Sequence, residues 1–574
     1  MQSILTLKIG GAAGQGVKSS GQLFAKYAAR SGKHIYNYVE YPSIIKGGHN
    51  VIQVNVSNEE VLGPSNKTDL LVALNQETIN LHLNELTPKS CIIFDGDKKL
   101  KTENVNPNVK LCPIPLAKLA EEAGGKEILI NMVALGAAAG LLSGNLILLQ
   151  KFVREQFEHK GESIVLADLK AAELGYNYAL SNYANIQKST LSPETSIASL
   201  KENMIVNGNE AVALGAISAG LQFAAIYPMS PISNILHVLA EHQEEYGYVY
   251  KQPEDEISAI NMALGASFAG ARAMTATSGG GFCLMSEGYG LAGITETPIV
   301  IVEGMRGGPA TGLPTWSAQD DLRFVIHAHQ GEFPKIILTP GDAQEVFDTT
   351  MKAFNLAEKY QTPVVILIDK NLCENDQSVP MFDPTNYKTD RGKLVLEKIE
   401  NFERYKLESD GISQRSVPGS GNFFIANSDE HDLQGLSNEE IKNRNEQMKK
   451  RMQKLVTCAE QDMQDPTLYG PEKADITLVS WGSNKGSILQ AIKNYKNVNY
   501  LHITWANPFP VEKVKQVLNN AKHVVNIECN YSAQMGGWIK QQTSVEIKDN
   551  MLKYDGRPFY VEDIQNKIES LLKG

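Results

Sequence analysis

Short apolar runs of strand length alternate with helical stretches through the first 185 residues. ILTLKI, VIQVNVS, DLLVAL and CIIFD are rich in Ile, Val and Leu, and a glycine loop after the first leads into a helix near Val17–Arg30. Such alternation predicts a mostly parallel sheet covered on both faces. A Ser/Thr-rich stretch from Gln187 to Glu202 then reads as a linker. The alternation resumes from Asn203 to Cys373, with YVYKQ, RAMTATS, PIVIVEG, KIILT and PVVILID as strands. Ala–Gly pairs such as those of NMALGASFAGA mark places where elements must approach closely. From Glu374 to Pro471 the pattern fades into polar sequence with one charged helical run, NEQMKKRMQKL. A connector of this length packs over other domains or binds something. The last hundred residues return to strand and helix order with ADITLVSWGSNKG, NYLHITW and HVVNIECN. The predicted fold is α/β, with several doubly wound, mostly parallel sheets. Its domains are 1–186, 203–373 and 472–574, with an irregular linker at 374–471.

Two uncharged runs, Ile128–Gln150 and Ala211–Leu236, reach membrane length. Both are rich in Ala and Gly and interrupted, the first by SGN and the second by two prolines, so they read as packed core helices. A hydrophobic content of 42% with 21% charged residues suits a soluble globular protein, and the net charge of −11 argues against nucleic acid or an anionic membrane as partner. The six cysteines are scattered without a CxxC pair, which suits neither a zinc site nor an iron–sulfur cluster. Reduced thiols and an N-terminus with no basic signal-peptide region lead us to expect a cytoplasmic protein.

Candidate chemistry gathers at four places. In IYPMSPISNIL each residue before a proline is pushed to extended backbone. Ser230 then reads as the N-cap of a helix opening at Pro231, an end that favours an anion or a polarised carbonyl; an ordinary surface loop is the alternative. In GGAAGQGVKSSG, Gly11, Gly14 and Gly16 would let backbone N–H groups approach a phosphate, or simply make a tight turn, since neither a GxGxxG order nor a P-loop ending is present. Nearby, EYPSIIKGGHN puts Lys46 and His49 beside a Gly–Gly pair, where a histidine is more often a structural hydrogen-bonder than a ligand. In QPEDEISAINMALGASFAGA, Glu256 shares a helical face with Ala259, Ala263, Ser267 and Gly270, while Glu254 and Asp255 point to solvent. A glutamate on that small-residue face has a raised pKa suited to proton transfer, unless it merely complements the helix dipole. Arg306, in EGMRGGPATGLPT, stands where a strand ends and can hold a carboxylate by two hydrogen bonds or form a loop salt bridge.

With these stretches in view, the chain resembles the fused γ–α subunit of a 2-oxoacid:ferredoxin oxidoreductase. YPMSPIS is similar to that family's YPITPSS. EDEISAINMALGASFAGARAMTATSGGGFCLMSE and RGGPATGLPT resemble its half of the thiamin site, and RSVPGSGNFF, NSDEHDLQG, WGSNKG, NPFP and ECNYSAQMGG its linker and last domain. GGAAGQGVKSSG with EYPSIIKGGHN resembles its γ domain. The likeness covers nearly the whole chain in the family's domain order.

The resemblance implies an α2β2 assembly that oxidatively decarboxylates a 2-oxoacid with coenzyme A, giving an acyl-CoA, CO2 and reduced ferredoxin. The chain has neither the GDG…N signature for Mg and thiamin diphosphate nor cluster cysteines, so both the metal and the [4Fe–4S] cluster are expected in a separate β subunit that shares the thiamin diphosphate. By the match, Glu256 is the glutamate that hydrogen-bonds the cofactor's aminopyrimidine nitrogen, Tyr227 and Ser230 face the substrate, and Arg306 clamps its carboxylate. Gly11, Gly14 and Gly16 are the candidate phosphate or coenzyme A loop. Met229, Ser230 and Ile232 depart from the family's Ile, Thr and Ser, and Trp316 stands where many 2-oxoglutarate-type members carry Arg. The fusion favours 2-oxoglutarate, with a branched-chain oxoacid or pyruvate as alternatives. A non-catalytic assembly subunit of the same fold and a self-contained transketolase-type enzyme are the competing readings.

Overall fold

The structure, a computed structural model, describes residues 4–44, 47–125, 127–186 and 203–573. The linker expected at 187–202 and Lys46 lie outside them. The chain divides into two compact units, one made of Met1–Val206, Asn375–Met381 and Tyr560–Gly574, the other of Asn207–Glu374 and Phe382–Phe559.

The first unit is built on a sheet ordered Lys110–Ile114, Leu86–Asp95, Thr68–Ala73, Leu5–Ala12, His49–Ser57, His34–Glu40, Gln377–Pro380 and Asn203–Val206. Its first four strands are parallel, as strand–helix alternation requires, and the rest pair antiparallel. Residues 41–48 are too few for a parallel crossover, which takes about a dozen, so His34–Glu40 and His49–Ser57 form a hairpin. The strand Gln377–Pro380 comes from the stretch read as linker; Ser378 Oγ accepts a hydrogen bond from the Ile35 N–H at 2.9 Å. The apolar run from Ile128 gives the helix Ile130–Leu141, buried on every side. Its Gly136 lies so close to the Ala172 backbone of the helix Glu162–Tyr183 that no Cβ fits between them. Among the described residues no helix is long and apolar enough to cross a membrane.

In the second unit, a sheet ordered Trp505–Asn507, Ile336–Leu338, Pro363–Asp369, Ile299–Met305, Ala273–Thr277, Phe223–Ala225 and Val249–Lys251 is parallel except at Trp505–Asn507. A further sheet runs Thr467–Tyr469, Val498–Ile503, Ile476–Trp481, His523–Glu528 and Asp549–Leu552, parallel except at Thr467–Tyr469. Trp505–Asn507 leaves its own block to extend the other sheet. Side chains of both blocks, Phe282, Ile301 and Leu367 with Trp481, Ile503 and Phe509, share one apolar core.

The charged run read at 374–471 lies in the helix Ile441–Gln461. It is not a solvated face: Lys450 and Lys454 are buried, each 2.6 Å from the fully buried Glu296 carboxylate. Burial alone would raise the Glu296 pKa, but Lys450, Lys454 and Arg404 hold it well below the usual carboxylate range.

Candidate functional site

The double-proline turn sits at the carboxyl end of the strand Ile299–Met305, where open α/β sheets bind ligands. Arg306, the next residue, donates from Nη1 to the Ser230 carbonyl at 2.9 Å. Asn209 Nδ2 donates to the buried Pro231 carbonyl at 2.8 Å. Gly304 leaves room for the Pro231 ring, whose Cγ would stand 3.2 Å from a Cβ there. Two of these contacts hold the turn to the strand end and the third, from Asn209, to the helix Gly208–Ser218, with Tyr227 and Ser230 half-buried on the turn.

Ser230 is not the N-cap we expected. The helix begins at Ser233, its N-cap Ile232 has no side-chain cap, and the Ser230–Pro231 bond is cis. The reason is competition for a carbonyl: an N-cap carbonyl accepts the first helical hydrogen bond, whereas that of Ser230 is taken by Arg306. The Ile232 N–H instead closes a tight turn onto the Met229 carbonyl at 3.0 Å.

Glu256 is the first residue of the helix Glu256–Phe268 and is 2% exposed, with Ala259, Ala263 and Ser267 buried on the same face. Asp255, read as solvated, is the helix N-cap and accepts from the Ser258 N–H at 2.7 Å. Glu256 Oε1 is buried without a hydrogen-bond partner and faces Gly281, where a Cβ would come within 2.6 Å of it. Burial raises the Glu256 pKa, with a smaller contribution from the Asp255 charge. A buried carboxyl with an open oxygen and a raised pKa can hold a proton and share it with a ligand's ring nitrogen.

Gly281 lies in the first turn of the helix Gly279–Ile294, and a second acid packs against the same turn. A Cβ at Gly279 would collide with the carboxylate of Asp321, whose charge acts on Arg306. Asp321 in turn faces Glu303, which is fully buried in the strand Ile299–Met305. Thr315 Oγ1, in the Gly/Pro loop after Arg306, is also buried and unpartnered. We did not anticipate Asn209, Glu303, Thr315 or Asp321 from sequence. An acid inside the apolar run PIVIVEG was the one local signal available, because a buried strand has no reason to carry it.

Gly11, Gly14 and Gly16 belong to the first unit. Gly11 lies within Leu5–Ala12, while Gly14 and Gly16 have φ of +89° and +71°, and Gly16 precedes the helix Val17–Arg30. The loop partly satisfies itself, since the Ala12 N–H donates to Gln15 Oε1 at 2.7 Å. Gly16 opens onto a cavity of about 640 Å³ lined by Ser19, Asn131, Lys160, Ser163 and Lys170. His49 is a hydrogen-bonder, as expected: its Nε2 is 2.9 Å from Nε2 of His82, which reaches Glu85 at 2.8 Å.

Comparison with known proteins places the chain in a family. Residues 214–450 match the domain family described as pyruvate flavodoxin/ferredoxin oxidoreductase, thiamine diP-bdg; residues 6–178 match pyruvate ferredoxin/flavodoxin oxidoreductase; residues 474–564 match pyruvate:ferredoxin oxidoreductase core domain II. The chain is 31% identical to a 2-oxoacid:ferredoxin oxidoreductase subunit alpha of Sulfolobus sp., over 99% of this chain and 97% of that one. It is 27% identical to the 2-oxoglutarate oxidoreductase subunit KorA of Mycobacterium tuberculosis, over 99% and 92%. Among solved structures, the 2-oxoglutarate:ferredoxin oxidoreductase from Magnetococcus marinus, with 2-oxoglutarate, coenzyme A and succinyl-CoA bound, superposes with a TM-score of 0.93 at 31% identity, over 99% of this chain and 100% of that one. With relatives this similar from end to end, the chain belongs to the 2-oxoacid:ferredoxin oxidoreductase alpha subunits.

Proposed function

We propose that this chain binds one half of a thiamin diphosphate, takes the other half from a β subunit in an α2β2 assembly, and oxidatively decarboxylates 2-oxoglutarate with coenzyme A, passing electrons to ferredoxin. The observation that carries this is Glu256 Oε1, buried, partnerless and facing Gly281, in the helix turn whose Gly279 meets Asp321, the acid that acts on Arg306. An open carboxyl oxygen of raised pKa fits the aminopyrimidine nitrogen of the cofactor. When bound, thiamin diphosphate supplies the carbanion-stabilising centre that decarboxylation of a 2-oxoacid requires. Mg and a [4Fe–4S] cluster belong to the β subunit in this reading, since the sequence carries neither GDG…N nor a CxxC pair.

Within the chain, Glu256 holds a proton at Oε1, and Arg306 pairs with the substrate's 1-carboxylate. The Ser230 hydroxyl, at the turn that Arg306 fastens, donates to a carboxylate or keto oxygen. Gly14 and Gly16 receive a phosphate of coenzyme A beside the 640 Å³ cavity. Trp316 takes the place of an arginine, and the choice of 2-oxoglutarate rests on Arg557. Where an arginine would reach a second carboxylate, the Arg557 guanidinium stacks on the Trp316 ring, 3.9 Å from its centroid, and restores a cation from another segment.

The test is a screen of 2-oxoacids with the purified complex and a viologen dye. We expect coenzyme A-dependent reduction, fastest with 2-oxoglutarate, and selective loss of that preference in Arg557→Gln. Equal rates with pyruvate or a branched-chain oxoacid would remove the dicarboxylate assignment, and no reduction with any oxoacid would make the chain a non-catalytic assembly subunit.

A further inference from the structure

We propose that Glu303 and Asp321 share one proton as a carboxylic acid–carboxylate pair, and that the single negative charge of the pair orients the Arg306 guanidinium over the Ser230 carbonyl, ready for the oxoacid's carboxylate. This rests on the reading of Arg306 as the carboxylate clamp and adds the device that aims it.

Glu303 lies in a strand whose seven residues are all buried, with Thr277 and Leu367 as its register neighbours. No donor reaches either of its carboxyl oxygens, so an ionised Glu303 would be a buried charge with no cation or N–H beside it. The side chain facing it is the Asp321 carboxyl. Two carboxyls in contact cannot both ionise, and environment decides which keeps the proton. Asp321 lies against Gly279 at the positive end of the helix Gly279–Ile294 and feels the Arg306 charge, so it keeps the negative charge. Glu303 faces Asp321, Cys283 and Asp369, none of them a cation, so it keeps the proton and donates its O–H to an Asp321 oxygen. Asp320, beside Asp321, adds negative charge that also opposes a second ionisation.

The pair explains the Arg306 geometry. Burial alone disfavours the guanidinium charge, and the Asp321 carboxylate opposes that effect. Hydrogen-bonded to the Ser230 carbonyl and drawn by the Asp321 charge, the guanidinium is oriented before substrate arrives. Glu303 and Asp321 act through Arg306 and are positioning residues.

Two measurements test this. On the full chain, infrared difference spectroscopy across the pH range should show the carbonyl stretch of a buried protonated carboxylic acid at neutral pH, lost in Glu303→Gln. In the complex with the β subunit, Asp321→Asn and Glu303→Leu should raise KM for the oxoacid about tenfold, with a smaller change in kcat. Glu303→Gln should rescue KM relative to Glu303→Leu, because an amide still donates to Asp321. The acid limb of kcat/KM should follow Asp321, whose pKa burial pushes up to about 6, and disappear in Asp321→Asn. Equal damage from Gln and Leu at 303, or no protonated-acid band lost in Glu303→Gln, overturns the shared proton. An unchanged KM in Arg306→Ala, with that band intact, overturns instead the underlying reading of Arg306.

Discussion

Arg306 and Glu256 do different work, and substitution separates them. Arg306 donates a 2.9 Å hydrogen bond from Nη1 to the Ser230 carbonyl, and its fork of N–H groups suits a planar carboxylate. Arg306→Ala should raise KM for the oxoacid at least tenfold while changing kcat less, measured by steady-state dye reduction. Glu256→Gln keeps the shape but cannot exchange a carboxyl proton, so kcat should fall by about 10²-fold or more. Glu256 was legible in the sequence because Ala259, Ala263 and Ser267, following it at steps of three or four residues, mark a buried face. Asp321 was not: its effect comes from Gly279 and Arg306, which are far from it along the chain or on a different element. In the first unit, burial alone would raise the Glu85 pKa, but His82 and Lys8 bring it down to about 2. A depressed carboxylate stabilises fully above its unfolded value near 4.5 and loses that contribution as pH falls towards 2. The stability difference between wild type and Glu85→Gln should therefore shrink over that acid window, as read by urea unfolding at a series of pH values.

At the scale of elements, the first turn of Gly279–Ile294 is where the acids of the site pack. Its glycines leave space for two carboxyl groups, Glu256 at Gly281 and Asp321 at Gly279. Gly281→Ala should displace Glu256 and lower kcat at least tenfold in a chain that still folds, checked by kinetics beside circular dichroism. The helix Ile441–Gln461 teaches the opposite lesson about sequence. Its charged run carries a helical signal, and charge ordinarily marks a solvated face. Lys450 and Lys454 are buried all the same, because Glu296 presents one carboxylate to both. A one-dimensional pattern cannot reveal such pairing, since the partners are about 150 residues apart.

At the scale of the molecule, the polar stretch after Glu374 serves both units. Gln377–Pro380 joins the first unit's sheet, and Arg391 and Arg415 converge on Glu358 of the second. Glu358 is 3% exposed and also receives Arg272 Nη1 at 2.8 Å. Glu358→Gln would leave Arg272 and Arg415 buried without their counter-charge, which typically costs about 3–5 kcal/mol. Calorimetry should show the transition of the second unit lowered and that of the first unchanged.

The order of residues determined the element types, because the periods of apolar positions are set by backbone geometry, 2 for strands and 3.6 for helices. It also determined the small-residue face beneath Glu256, the arginine at a strand end, and the reach of the family likeness from one end of the chain to the other. Only the tertiary structure decided which carbonyl Arg306 grips, that Ser230 starts a turn and not a helix, and that Glu303 finds Asp321. It also sent Gln377–Pro380 and Trp505–Asn507 away from the blocks that encode them. These outcomes depend on distances between groups far apart in sequence, and a buried charge is tolerated only where such a distant partner comes to meet it.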